Sequence, residues 1–372
     1  MALGFCPAIL VHLEQITRNG YAGKKVTPPG FLQYLLSQPD RPTVIQTQGF
    51  QQGHNRTVNI KYRVRGNENY VNTTESCDID LTPAWKETSQ TISQIAQIGL
   101  YFDDATIRQY CTDASNMVTF GTPPTQVMAD VMDGILTNMN GLYQAIDKQL
   151  LTTMASAFGI NRRTGLATTS TINVPLDGTQ NNLATGAAQV MADVITNEFC
   201  GQMPTIVGSG NWLNFELMRQ AAAVSANQSG INLNNLMSYQ FFHDIYASSQ
   251  WGTNQIGVFE ESAVHLLEDL RNVGSFAGDR GESFFATFAD PRVQCWSPQG
   301  MSNVRFDIHV KFINCPTTLT NGYAGGTATF NRGVAVYISK HYDLFAPPAD
   351  QYDGADILAG VRGSLRYTIT NT

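Results

Sequence analysis

QVMADVMDGILTNMNGLYQAIDKQLLTTMASAF, residues 126–158, places an apolar side chain at every third or fourth position from end to end. Met128, Met132, Ile135, Met139, Leu142, Ile146, Leu150, Met154 and Phe158 form the series, and that spacing keeps side chains on one face of an α-helix. Without an internal proline the pattern predicts a single helix over 126–158, about nine turns and roughly 50 Å long. Globular domains average three to four turns per helix, so a helix of this length reads as a spine through an extended protein. Gly134 and Gly141 interrupt it. Each costs roughly 1 kcal/mol against alanine, which leads us to expect another backbone crossing close to the helix.

Working outward, Pro123-Pro124-Thr125 supplies the start of the spine, and Asp103 is a candidate N-cap for a shorter helix over 103–116 with Ile107, Tyr110 and Cys111 on its apolar side. Upstream, Thr57 to Arg65 alternates: Val58, Ile60, Tyr62 and Val64 on one face, Asn59, Lys61, Arg63 and Arg65 on the other. Gly66 to Asn69 can turn the chain, and Tyr70 to Leu81 alternates again, which predicts a long hairpin over 57–81 with a basic strand and an acidic return. A lone hairpin is marginal in water, so its second face is expected to come from a neighbour. Residues 1–50 are broken by Pro7, Pro28, Pro29, Pro39 and Pro42 and leave room only for short helices such as 31–37. They read as an extended arm.

Downstream, a Thr- and Gly-rich link over 164–182 marks a boundary. Helix-like 187–199, strand-like 203–207 and helix-like 212–224 follow, with strands expected in 237–246 and 255–259 and a short amphipathic helix in 262–270. This alternation indicates an α/β domain. Three strand-like runs, 304–313, 333–339 and 364–369, end the chain and are expected to form a second sheet.

Composition limits what the protein does. Charged residues make up 14% of 372 residues, against roughly 25% in soluble proteins generally. A surface of neutral polar groups suits broad faces that bury against partners without stranding ions. The net charge of −7 is uneven: Arg18, Lys24, Lys25, Arg41, Arg56, Lys61, Arg63 and Arg65 against Glu14 and Asp40 make residues 1–66 +6 and the remainder −13. A basic arm on an acidic body can dock on an acidic neighbour or a polyanion. The six cysteines are scattered without a CxxC, the pattern of buried thiols rather than a disulfide or zinc framework. No stretch approaches a membrane span, and the apolar run 8–13 lacks the basic flank of a signal peptide.

Motifs for chemistry are sparse. There is no GxxxxGK[ST], HExxH or GxSxG, and Gly208-Ser209-Gly210 lacks the rest of a dinucleotide fingerprint, so it reads as a turn entering a helix. Asp103/Asp104 and Glu260/Glu261 are paired carboxylates that read as a helix cap and a solvated pair. His309 and His341 sit in strand-like runs, and His341 is near Asp343, but no nucleophile accompanies them. No catalytic, cofactor or metal residue is assigned. Lys61-Tyr62-Arg63 and Lys340-His341-Tyr342 interleave basic and aromatic side chains, and both fall in strands where a ring packs beneath a polar face.

The order of parts, together with Met203-Pro204-Thr205-Ile206-Val207-Gly208-Ser209 leading into a helix and Phe330-Asn331-Arg332-Gly333-Val334-Ala335-Val336-Tyr337-Ile338, resembles the major capsid protein of tailed bacteriophages, the Hong Kong 97-like fold shared with encapsulin shells. The resemblance implies an α+β capsid fold with an N-terminal arm (1–50), an extended β-hairpin loop (51–90), a peripheral domain with the spine helix (91–180), an axial α/β domain (181–300) and returning peripheral strands (301–372). It implies a structural subunit, not an enzyme, that assembles with itself as hexamers and pentamers into an icosahedral shell around double-stranded DNA. Assembly would take place in the bacterial cytoplasm and the product would be the virion. Partners would include a portal, cement or decoration proteins and a scaffold. The scaffold would be a separate protein, because no charged helical segment precedes the arm. Lys61, Arg63, Arg65 and Tyr62 are the expected inter-subunit contacts. Two alternatives stand beside this reading: an encapsulin-like compartment, and a soluble enzyme or carbohydrate-binding protein.

Overall fold

The computed structural model describes residues 9, 12, 26–38, 44–47, 56–63, 85–120, 123–163, 169–173, 183–197, 199, 204–214, 239–260, 263–271, 278–280, 283–293, 295–297, 300–302, 304–313, 317–321, 326–330, 332–346 and 363–370. Its helices are α1 (Gly30–Ser37), α2 (Asp104–Phe120), α3 (Gln126–Ala155), α4 (Leu183–Thr196) and α5 (Ala247–Trp251). Its strands are β1 (Val44–Thr47), β2 (Arg56–Arg63), β3 (Trp85–Ile92), β4 (Gln94–Asp103), β5 (Ser170–Asn173), β6 (Thr205–Gly208), β7 (Gln240–His243), β8 (Gln255–Phe259) and β9 (His265–Asp269). They continue with β10 (Gly278–Arg280), β11 (Ser283–Ala289), β12 (Cys295–Ser297), β13 (Gly300–Ser302), β14 (Arg305–Ile313), β15 (Thr317–Asn321), β16 (Gly326–Phe330), β17 (Gly333–Phe345) and β18 (Ser364–Thr370). The class is α+β. The chain divides into two units, the first from Met1–Pro28, Ser93–Ile146 and Glu268–Tyr342, the second from Pro29–Ile92, Asp147–Leu267 and Asp343–Thr372.

In the first unit a sheet runs β10-β11-β14-β17-β4, with β9 also on β17. β14 puts Phe306, Ile308, Val310 and Phe312 on one buried face, while its other face is covered in part, with Asp307 and Ile313 buried and Arg305 and Lys311 exposed. β17 meets β4 antiparallel from Gly333↔Asp103 to Tyr342↔Gln94. A Cβ on Gly333 would stand 2.4 Å from the Phe102 carbonyl oxygen, so only glycine lets β17 begin this close to β4. β4 itself was absent from the sequence reading. Its alternation buries only Ala96 and Ile98 and leaves Ile95 48% exposed, a weak signal for a strand.

In the second unit a mixed sheet runs β5-β18-β8-β6-β7, parallel at β5/β18 and β6/β7 and antiparallel elsewhere. Ile172, Val190, Val194, Ile206, Trp212, Ile256, Val258, Leu365, Tyr367 and Ile369 make its core. Beside it, Phe31 and Tyr34 of α1 pack on Phe259 with ring centroids 5.7 and 5.0 Å away, and Trp251 stands edge-on to Phe31 and Phe158. The expected short helix at 31–37 is α1, and its burial follows from this aromatic cluster.

Helix α3 is 30 residues long, residues 126–146 falling in the first unit and 147–155 in the second. All nine residues of the predicted stripe are buried, and so are Val131, Leu136, Tyr143, Asp147 and Leu151, so the covered face is wider than one seam. The helix stops at Ala155, short of Phe158, because Arg366 donates to the Ala155 carbonyl and the Gly159 amide donates to Ser364, drawing the chain onto β18. Thr125 caps the other end, accepting from the Met128 amide at 3.4 Å and donating to Asp113 at 2.6 Å. A Cβ at Gly134 would meet nothing within 4 Å. The expected close backbone crossing is therefore absent at Gly134 among the described residues.

Three further expectations are corrected. Residues 265–269 are a strand, not a helix: His265, Leu266, Leu267 and Asp269 are buried, Glu268 is exposed, and the run pairs with β17. Of the three late strands, β14 and β17 are neighbours, whereas β18 lies in the other sheet between β5 and β8. The strand that pairs with β2 is β3, from Arg56↔Ile92 to Arg63↔Trp85, while β1 takes the other edge. The expected return over 70–81 lies outside the described residues.

Candidate functional site

The residues expected to contact a neighbour begin on β2. In register, Lys61 stands opposite Glu87 of β3 and Val44 of β1, Tyr62 opposite Lys86, and Arg63 opposite Trp85. Arg65 lies outside the described residues. Val58 and Ile60 are buried with Ile92, Leu267 and Phe345, so the base of the hairpin already has an apolar cover from its own chain. This corrects the expectation that its second face comes from a neighbour, for residues 56–60. Gln90 of β3 donates to the Leu344 carbonyl at 2.8 Å and fixes the same base.

The carboxylate pairs separate by role. Asp103 accepts the Thr106 amide at 2.8 Å as the N-cap of α2, and hydrogen bonding from the Thr106 side chain first and its amide second lowers the Asp103 pKa. Asp104 pairs with Arg108 one turn on, at 2.8 Å, and both are solvent-exposed. Glu260 is buried rather than solvated, at 6% exposure, and its amide donates to the Gly363 carbonyl. Glu261 lies outside the described residues.

His309 and His341 are not brought together. His309 faces Tyr337 of β17 across the strands, four residues from His341, which faces Ile95. The His309 ring lies between Phe285 at 4.3 Å and Tyr337 at 5.6 Å in a ladder of stacked rings across three strands. Burial, then Lys311, lowers its pKa, which favours the neutral ring in this ladder. Gly208-Ser209-Gly210 is the turn expected: the Trp212 amide donates to the Ser209 carbonyl as a helical turn opens over 210–214.

The polar groups that the structure gathers were not singled out in the sequence. Asp193 on α4 is fully buried and accepts from Asn161 at 2.8 Å, Tyr367 at 2.8 Å and the Arg163 guanidinium. Asn197 joins by donating to Asn161 and accepting the Arg162 amide. In the first unit, Arg292 pairs with Asp290 at 2.9 Å, and Tyr143 of α3 donates to the same carboxylate at 2.9 Å. Lys340 is 1% exposed and is satisfied by Glu268 at 2.7 Å, the Arg305 carbonyl at 2.9 Å and the face of Phe306.

A further cluster joins Asp147 of α3 and Asp244 after β7 at the start of α1. Phe31 donates its amide to Asp244 at 2.7 Å, and Leu32 donates to Asp147 at 2.8 Å. The one available sequence signal was an Asp on the apolar side of the spine, between Ile146 and Leu150.

These networks fasten one element to another, and only Asp147 Oδ2 among the carboxylate oxygens of the described residues is buried without a hydrogen-bond partner. Among the described residues, no group of three or more His, Cys, Asp and Glu could hold a metal ion, and no helix is long and apolar enough to cross a membrane. Cys111 is a free thiol whose pKa burial raises.

No protein-family model matches this chain, and no curated protein does. Solved structures do. The capsid structure of cyanophage P-SCSP1u is 11% identical, with a TM-score of 0.43 over 94% of this chain and 90% of that one. The capsid asymmetric unit of cyanophage A-1(L) is 11% identical, with a TM-score of 0.40 over 94% and 95%. The capsid of Myoviridae phage XM1 is 10% identical, with a TM-score of 0.38 over 94% of each chain.

Proposed function

We propose that this chain is the structural subunit of a Hong Kong 97-like icosahedral shell, the major capsid protein of a tailed bacteriophage, and not an enzyme. The observation that carries the reading is the sequence of elements: a short helix in the proline-broken start, a β-strand pair, one 30-residue helix, a mixed α/β sheet, then late strands returning to β4. The resemblance orders its arm, loop, spine, axial domain and peripheral returns in the same way. Asp103, Asp193, Asp290 and Lys340 are engaged in a cap and in networks that hold elements together, the work asked of a shell subunit.

A shell needs many modest contacts, each weak alone and collectively stable once closed. Lys61, Tyr62 and Arg63, at the end of β2, and Arg65 are the proposed contact residues. The proposed arm and hairpin are 1–50 and 51–90; the proposed peripheral (91–180 with 301–372) and axial (181–300) segments exchange two pieces, because β18 joins the sheet of β5, β6, β7 and β8 and β10 and β11 join that of β4, β14 and β17. A separate scaffolding protein, a portal and packaged double-stranded DNA held by non-specific contacts complete the proposed partners. Expression of the chain alone and with a scaffold, followed by negative-stain microscopy, tests the reading: shells or hexamer and pentamer rings are expected, and a monomer under both conditions rejects it.

A further inference from the structure

Two carboxyl groups meet where α1 begins. Asp147, from the last third of α3, is fully buried; its Oδ1 accepts the Leu32 amide, and its Oδ2 is buried without a hydrogen-bond partner. Asp244, also fully buried, accepts the Phe31 amide at 2.7 Å and, through its other oxygen, the amides of Tyr246 and Ala247 at 2.7 and 3.1 Å. The helix is seated tightly, since a Cβ on Gly30 would stand 2.2 Å from the His243 carbonyl oxygen.

Two buried carboxylates side by side cannot both be charged at modest cost. Asp244 accepts three N–H donors and Asp147 only one, so the proton sits on Asp147, whose Oδ2 is the oxygen left to carry it. We infer that seating α1 takes up one proton on Asp147, beside Asp244, so that this helix is a latch that weakens as the pH rises.

The other charged and titratable groups around the pair do not remove the effect. Among the described residues Lys148 is the cation that opposes it, and its ammonium is drawn to the Tyr246 ring at 4.5 Å. Tyr34 on α1 is buried and kept neutral by burial and by Glu260, and the His243 side chain is exposed. Burial first, then Asp244, pushes Asp147 up to about 9. A solvated Asp titrates near ~3.9, so between these values the seated state holds one proton more than the released state. Seating is strongest at the acid end of that window. It weakens about tenfold per pH unit towards 9 and levels off above it.

Hydrogen exchange on the full-length protein at pH 6, 7 and 8, expressed as protection factors, reads this directly at the amides of 31–37. Those factors are expected to fall about tenfold per unit in the wild type, while the amides of β8 in the same unit stay constant. Asp147→Asn keeps an acceptor for Leu32 and places an N–H where the proton was, so its α1 protection is expected to be independent of pH. Asp244→Asn removes the neighbouring charge and is expected to flatten the slope, a second reading if Asp147→Asn fails to fold. Wild-type α1 protection that ignores pH overturns the latch, as does an equal slope in either variant. A fall shared equally by β8 also overturns it, because α1 would then open only when the whole unit does.

Discussion

Asp193 shows what a buried charge does in this protein. Its carboxylate gathers Asn161, Tyr367 and Arg163, tying the segment after α3, helix α4 and strand β18 to one atom pair. Asp193→Ala leaves a buried phenol and a buried amide without their acceptor, and is expected to cost about 3 kcal/mol of subunit stability, measurable by denaturant unfolding. The Arg163 side chain is 41% exposed and contributes little to that figure. Gly134 points the other way. With open space where its Cβ would be, Gly134→Ala is expected to raise subunit stability by about 0.5–1 kcal/mol, seen as a higher melting temperature. Assembly as efficient as wild type would show the space stays open in the shell, and a loss of assembly with the stability gain intact would place a neighbouring subunit there. Neither residue's role could be read from sequence. An Asp inside Val190-Met191-Ala192-Asp193-Val194 looks like any surface position of a helix until Tyr367, 174 residues away, is seen to donate to it.

The elements were most legible where one periodicity ran uninterrupted. Helix α3, the caps at Asp103, strand β8 and strand β14 were all read close to their observed bounds, because a repeating apolar step and a stop signal are both local. Legibility failed where the partner decides the conformation. The run His265-Leu266-Leu267-Glu268-Asp269 fits either period, and its place in the sheet beside β17 decides for the strand. The hairpin shows both sides: β2 was recognised by its alternation, but its pairing with β3 depends on Ile92, Leu267 and Phe345 closing over Val58 and Ile60. That apolar base makes a prediction for the contact residues. Lys61→Glu, Arg63→Glu and Arg65→Glu together are expected to leave a soluble, folded subunit with unchanged circular dichroism that forms no shells. Normal shells from this variant would remove those side chains from the assembly contact.

At the scale of the molecule, the low charge suits broad faces that bury against partners without stranding ions. Its charge asymmetry, +6 over residues 1–66 against −13 elsewhere, gives one copy's start an electrostatic reason to lie on another copy's body. Association driven this way weakens with ionic strength, so shells or rings are expected to assemble more slowly at 1 M salt than at 0.1 M, a trend that light scattering follows. The proposed contacts between copies were beyond the sequence, because a single chain's periodicity fixes which faces are apolar and carries no record of what covers them. The most direct measurement is negative-stain microscopy with light scattering on the purified chain, expressed alone and with a scaffolding protein. Closed shells of uniform size, or hexamer and pentamer rings, are the predicted result. A chain that stays monomeric under both conditions would contradict the account.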